Sequence, residues 1–342
     1  MAYSNIGTPR FYVDIFSLYK SLGLAHEHGR SRFGSDASEQ ELVAERLILF
    51  NIKLPFQIDY FAILGHEMAG IPFNGQFQET PVWEGEHYIS NFNIIDRINC
   101  EDASSPAGWY LPTYNGFSLV RFTEEYVFDS VGAAGNTITN FKYYTESDTT
   151  ASTFSMGKTY TMPHSPELNL TMTREMDGVK RVRTKGGADL VNHKYIKPAM
   201  WGDAAAWELY SGTPANQALS RTGRRVWDLS FNYLQDSSVF APTESQTTRI
   251  FDTSGYDDAD WYVGGDNQDN WKSNMRFLAH DDFYTQVIHK TNGGQLPFIF
   301  QPDSNNNNPD QFAICKFDME SYQFEQVANG IYNMKLKIRE AW

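Results

Sequence analysis

The sequence predicts a mainly β protein: two antiparallel β-sandwich domains, with one short helix in the C-terminal half. Three observations carry that expectation. Aromatic residues make up 15% of the 342 positions, with 24 Phe, 19 Tyr and 8 Trp, and such side chains suit pleated, half-buried surfaces. Short apolar runs alternate with Gly-, Pro- and Asn-rich breaks, the spacing of a sandwich and not of βαβ units. Two late segments, 226–234 and 331–339, alternate apolar and polar residues with period 2, as a half-buried antiparallel strand must. Hydrophobic residues at 41% and charged residues at 20% exclude the composition of a disordered chain.

Taken in order, Arg10 to Tyr19 alternates Phe11, Val13 and Ile15 with Tyr12, Asp14 and Phe16. It reads as a strand with one side in a core, so residues 1–30 are expected to form an N-terminal strand or arm. Residues 25–42 have loop chemistry. Leu47–Phe56 and Phe61–Leu64 are short apolar runs closed by Pro55 and Gly65, and read as buried strands. Further strands are expected at His87–Ile95, Phe117–Phe122, Tyr126–Asp129 and Ile138–Tyr144. Together these fill a first sandwich over 31–158, and the polar Ser/Thr-rich stretch 145–158 marks its boundary.

The second unit, 159–342, opens with Leu168, Leu170 and Met172 alternating with Asn169, Thr171 and Thr173. Asp177-Gly178 is a hairpin signal, with Val179–Thr184 as the returning strand. In 226–234, Trp227, Leu229, Phe231 and Tyr233 share one face. In 331–339, Tyr332, Met334, Leu336 and Ile338 share a face, with Asn333, Lys335, Lys337 and Arg339 opposite. The helix is expected near 270–289, where Trp271, Met275, Leu278 and Phe283 recur at loosely helical spacing. Asn305 to Asn308 followed by Pro309 reads as a solvated hairpin end.

Lys and Arg number 28 against 42 Asp and Glu, a formal charge of −14. A nucleic-acid partner is therefore not expected, since such proteins carry a basic excess. No apolar run approaches the length of a membrane span. The opening MAYSNIGTPR lacks a basic region followed by an apolar one, so no secretory signal is expected. Cys100 and Cys315 are the only cysteines, too few for a disulfide framework or a metal site. There is no nucleophile elbow, phosphate loop or dinucleotide fingerprint, so no enzyme, cofactor or metal is expected. His66-Glu67 lacks the second His that a zinc-protease helix needs, because position 70 is Gly, and reads as a strand-end turn. Asp257, Asp258, Asp260, Asp266 and Asp269 form an acidic loop whose spacing does not match a calcium-binding loop.

Two features point to contacts. Trp109, Tyr110, Tyr114 and Phe117 crowd a Gly- and Pro-containing segment, where aromatic rings stack on sugars, anchor a protein partner, or fill a core. Basic residues cluster over 174–225 and acidic ones over 236–282. Opposite patches on one chain suit head-to-tail self-assembly, with Lys335, Lys337 and Arg339 as one face of the contact and Asp257, Asp258 and Asp260 as the other.

Several segments resemble virion proteins from the tail tip of tailed bacteriophages, in particular those of marine phages. Gly7-Thr-Pro-Arg-Phe-Tyr-Val-Asp14 is similar to the opening of that group. Asp59-Tyr-Phe-Ala-Ile-Leu-Gly-His66 is similar to a strand of a galactose-binding-like, discoidin-type sandwich. Met162–Leu168, Asp177–Lys180, Thr184–Gly187, Gly223–Tyr233 and Leu296–Pro302 follow in the corresponding order, and Tyr332–Trp342 resembles the closing strand of distal tail proteins. The resemblance covers about half the chain and brings no catalytic residues. It implies a cyclic homo-oligomer, a hexameric ring, joining the tail tube to baseplate hub proteins and the host-adsorption device of a virion. The alternative is a carbohydrate-binding module for host surface glycans, with Trp109, Tyr110 and Tyr114 as its contacts.

Overall fold

Runs rich in aromatic and β-branched residues pair into two large sheets. The computed structural model describes residues 5–21, 40–42, 45–49, 56–79, 87–89, 94–103, 109–128, 137–147, 149–151, 153–175, 179–193, 224–240, 281–308 and 311–341. The first sheet has ten strands. Its main path runs Thr153–Gly157, Phe56–Leu64, Phe117–Phe128, Thr137–Thr145, Phe73–Glu79, Tyr110–Pro112 and Cys100–Asp102. Glu45–Leu49, His87–Ile89 and Ile94–Ile98 pair alongside it. Neighbours in this sheet are antiparallel, apart from a short parallel contact of Val127 and Phe128 with Thr137 and Ile138. The two strands expected at 117–122 and 126–129 are one, interrupted by a register shift between Arg121 and Tyr126.

The second sheet has eight strands, ordered Thr159–Thr161, Arg10–Val13, Phe298–Gln301, Ala313–Phe317, Ile331–Glu340, Arg224–Gln235 and Thr171–Glu175, with Phe324–Ala328 beside Ile331–Glu340. Arg10–Val13, expected as an N-terminal strand or arm, is an interior strand paired on both sides and buried at all four positions. The chain passes from the first sheet to the second at Lys158, between Gly157 and Thr159.

Three apolar clusters hold these layers. Ile58, Phe61, Ile63, Val120 and Phe122 lie on one face of the first sheet, with Ile15 and Leu18 packed against them. Tyr60, Ala62, Leu64, Phe117 and Leu119 of the first sheet meet Tyr12, Ile299 and Ile314 of the second in the middle cluster. Phe11, Trp227, Leu229, Phe231, Phe300, Met334, Leu336 and Ile338 fill the far face of the second sheet. The alternation read from 331–339 holds from Met334 onward, where Met334, Leu336 and Ile338 are buried, Lys335 is exposed and Lys337 and Arg339 are half-buried; Tyr332, expected on the core face, is half-buried like its neighbours Ile331 and Asn333.

Local chemistry overrides the simple pattern at four places. The opening strand does not run to Tyr19. It stops at Val13, and Ile15–Ser21 is a helix, because the Asp14 carboxylate accepts bonds from the Ser17 amide (2.8 Å) and hydroxyl (2.7 Å) as an N-cap. Val179–Arg183 does not return onto Thr171–Glu175. It pairs with Asp189–His193, through a turn in which the Thr184 amide donates to the Ala188 carbonyl and Gly187 takes φ +83°. Thr171–Glu175 pairs with Arg224–Gln235 instead, and Leu168 is fully exposed. In Arg224–Gln235 a bulge falls between Phe231 and Leu234. Tyr233 adopts φ +61° and swings outward to 75% exposure, and Leu234 takes the core position expected for it. Of the helix expected at 270–289, residues 270–280 lie outside the described residues. The remainder is a single π-helical turn, Tyr284–His289, started by Asp282, whose carboxylate accepts from the Thr285 amide. A further short helix, Asp236–Val239, follows the bulged strand.

Candidate functional site

His66, Cys100 and Cys315 are titratable side chains of the interior. His66 is fully buried at the end of Phe56–Leu64. Its Nδ1 accepts from the Met68 amide (3.2 Å), which leaves Nε2 to donate to Ser118 Oγ (2.9 Å), and Ser118 Oγ donates to the Asn99 carbonyl. Burial pushes its pKa down to about 3, so the ring is neutral. Cys100 and Cys315 are buried free thiols, and burial raises both, Cys100 to about 12. A thiol held that high is protonated and unreactive. Among the described residues no cluster of His, Cys, Asp and Glu has the arrangement of a metal site.

A polar clasp joins the two sheets beside the middle cluster. The Arg121 guanidinium, from the first sheet, holds Asp96 Oδ2 at 2.6 and 2.7 Å, and Arg10, from the second, reaches the same oxygen at 3.3 Å. Asn307 donates to Asp96 Oδ1 at 3.2 Å. Arg10 also faces the Gln301 side chain, which accepts from the Tyr12 hydroxyl at 2.8 Å. Burial raises the Tyr12 hydroxyl to about 12, so it remains a donor. These partners are up to 291 residues apart in the chain, and no spacing in the sequence announces them.

The aromatic segment divides. Tyr110 begins a strand and is buried against Phe73, with ring centroids 5.6 Å apart, so it is a core residue and cannot meet a ligand. Trp109 is half-buried, and its carbonyl accepts from the Ala103 amide. Tyr114 is 49% exposed. Its loop is clamped by Asn99, a residue that sequence reading missed. Asn99 adopts φ +54°, its Oδ1 accepts from the Tyr114 amide, and its Nδ2 donates to the Tyr114 and Phe117 carbonyls. Asn is one of the few side chains that tolerates this backbone region, and that is the only signal the sequence offered.

The basic row on the closing strand is present, but two of its three cations have carboxylates within the chain. Lys337 pairs with Asp318 at 2.7 Å, and Arg339 pairs with Glu175 at 2.7 Å, tying the closing strand to Thr171–Glu175. The hydrogen bond and charge of Asp318 raise the Lys337 ammonium above its usual value. Lys335 projects into solvent. Asp257, Asp258 and Asp260, the expected acidic counterpart, lie outside the described residues.

Three strands of the second sheet pair on one side only among the described residues: the short, mostly buried Thr159–Thr161, and two exposed ones. Thr171–Glu175 ends the sheet and is mostly exposed. Phe324–Ala328 pairs only with Ile331–Glu340 and exposes Glu325, Gln326, Val327 and Ala328. A row of unpaired backbone donors and acceptors is a template for another strand. Comparison of the chain with family models, with curated proteins and with solved structures finds no match.

Proposed function

We propose that the chain is a structural virion protein of a tailed phage, a ring-forming component at the tail tip that links the tail tube to the baseplate and adsorption device. The observation that carries the reading is that, among the described residues, two exposed and dissimilar strands of one sheet, Thr171–Glu175 and Phe324–Ala328, each pair on one side only. Two different edges that meet give a head-to-tail contact, which closes into a ring when the rotation allows. The ordered likeness to tail-tip proteins and the neutral, inert state of the buried His and Cys side chains support a building block over a catalyst. Light scattering coupled to size-exclusion chromatography tests the ring: the purified chain elutes as a closed cyclic assembly, a hexamer in the favoured reading. Labelling of intact virions then places it at the tail end. A strict monomer at high concentration, with no label at the tail, refutes the proposal.

A second reading is recognition of host glycans, in a narrower form resting on Trp109 and Tyr114. It is favoured by the rigid clamp that Asn99 places on the Tyr114 loop, since a pre-organised aromatic loses little entropy on stacking against a sugar. A glycan array with the full chain, repeated with Trp109→Ala and Tyr114→Ala, decides it. Equal signal in all three removes this reading.

A further inference from the structure

The hairpin Val179–Arg183 and Asp189–His193 pairs with no other strand among the described residues. Two strands alone are marginally stable in water, so a hairpin that joins neither sheet among the described residues has surface to offer a partner. Val182 and Leu190 stand directly opposite each other at 55% and 61% exposure, and Val191 is 37% exposed. On the same ribbon lie Lys180, Arg181, Arg183 and Lys185 against the single acid Asp189, which already binds Arg183 at 3.1 Å. The ribbon is thus apolar and cationic on a chain whose formal charge is −14.

We propose that this hairpin is a docking arm whose partner is a second copy of this chain, and that it adds as a strand to the open edge of Phe324–Ala328. The proposal rests on the ring-forming reading above and names the contact through which subunits join. Charge complementarity selects the partner: a cationic ribbon meets an anionic chain of its own kind. It also selects the edge, because Glu325 is exposed on that strand, Glu320 precedes it, and Val327, 42% exposed, offers apolar surface to Val182 and Leu190. Main-chain pairing supplies affinity in such an addition, and the side chains set register. The hairpin follows in sequence on Thr171–Glu175, a different one-sided strand of the same sheet among the described residues, so arm and receiving edge lie on different strands and the contact is head-to-tail.

The test compares the full chain with Val182→Ser/Leu190→Ser, whose altered side chains are exposed and leave the core intact, by multi-angle light scattering over a concentration series, with circular dichroism as the folding control. A mixture of Leu190→Cys and Val327→Cys chains is oxidised in parallel. Both natural cysteines are buried, so a covalent dimer reports the new pair. The expected result is a closed assembly in the wild type, at least tenfold weaker association in the double variant, and a disulfide-linked dimer enriched in the mixture over either chain alone. A closed assembly unchanged by the double substitution, with no enriched cross-link, overturns the arm and leaves the ring reading standing. Hairpin-dependent, cross-linkable association that stops at an open pair supports the arm and overturns the ring. A chain that stays monomeric at every concentration overturns both.

Discussion

Replacing Asp59 by Asn should stabilise the protein at neutral pH. Asp59 lies where the chain crosses from one sheet to the other, buried, with its carboxylate accepting from the Thr159 amide (2.7 Å) and hydroxyl (2.6 Å). Burial outweighs those bonds and the nearby Arg121 and Lys158 charges, and raises its pKa from 3.8 to about 6. Between those two pH values the folded chain holds a proton that the unfolded chain releases. The stability this group contributes is therefore fully present below pH 3.8 and is lost as pH rises through 6. At about 1.36 kcal/mol per pH unit, the charged carboxylate costs about 3 kcal/mol at pH 7 relative to its protonated form. Asn has the same shape, accepts from the Thr159 amide through Oδ1, donates to the Thr159 hydroxyl through Nδ2, and carries no charge. Urea unfolding of wild type and Asp59→Asn, followed by tryptophan fluorescence, should show the variant more stable by about 1–3 kcal/mol at pH 7, with the gap closing near pH 4. His66 works in the opposite direction. With its pKa lowered from 6.5 to about 3, its contribution is present above pH 6.5 and is lost as pH falls toward 3. Both proteins carry it, so it cancels from the difference. A variant less stable than wild type by more than about 1 kcal/mol at pH 7 refutes the reasoning, and means that the charge-assisted bonds to Thr159 outweigh the cost of burial.

Gly157→Ala should destabilise by about 3 kcal/mol or more in the same urea assay, because a Cβ there would sit 2.0 Å from the Val13 carbonyl oxygen, backbone that cannot yield. Leu336→Asp should give no cooperative unfolding transition, since it places an unpaired charge inside the core of the second sheet; a folded, soluble variant would show that this face is not sealed. Lys335→Glu/Lys337→Glu should leave the subunit folded, the lost Lys337–Asp318 pair being exposed and worth about 0–1 kcal/mol. Where the row meets Asp257, Asp258 and Asp260 of a neighbouring copy, a contact separate from the hairpin's, the change weakens assembly in light scattering, most at low salt where repulsion is least screened; unchanged assembly at low salt would remove the row from the interface.

The sequence made the regular strands legible and hid the irregular ones. Ile331–Glu340 could be read because one face is core along most of its length, so each residue's polarity reports its side. The bulge in Arg224–Gln235 could not, because Tyr233 is aromatic and in phase with Trp227, Leu229 and Phe231. Only the left-handed backbone at that position turns it to solvent. The helix at Ile15–Ser21 was masked for a related reason. Alternation carries Phe11 and Val13 into Ile15, while the deciding contact, Asp14 with Ser17, is a capping bond that a period-2 pattern does not contain. The hairpin signal Asp177-Gly178, which lies outside the described residues, competed with the turn at Thr184–Ala188, and spacing alone does not rank the two. Of the candidate site, Tyr114 and the closing-strand cations were visible as residue types in loops and on a polar face. The Arg10–Asp96–Arg121 clasp, the Asn99 support and the partners of Lys337 and Arg339 depend on tertiary pairing, which one sequence does not encode locally.

The interior position of Arg10–Val13 governs how the protein can be made. This strand leaves the ribosome well before Phe298–Gln301, one of the two strands it pairs with. At about 5–20 residues per second, roughly 15–60 s of synthesis separate the two. Throughout that interval Phe11, Tyr12 and Val13, all core residues of the finished sheet, have only an incomplete set of partners. Contacts this distant in sequence also slow folding after synthesis, because the closure of a long loop must precede any gain from pairing. The nascent chain is therefore a substrate for chaperones or for aggregation before it is a subunit. The second sheet is complete only once Ile331–Glu340 has emerged, so a surface that depends on that sheet does not exist on a shorter nascent chain.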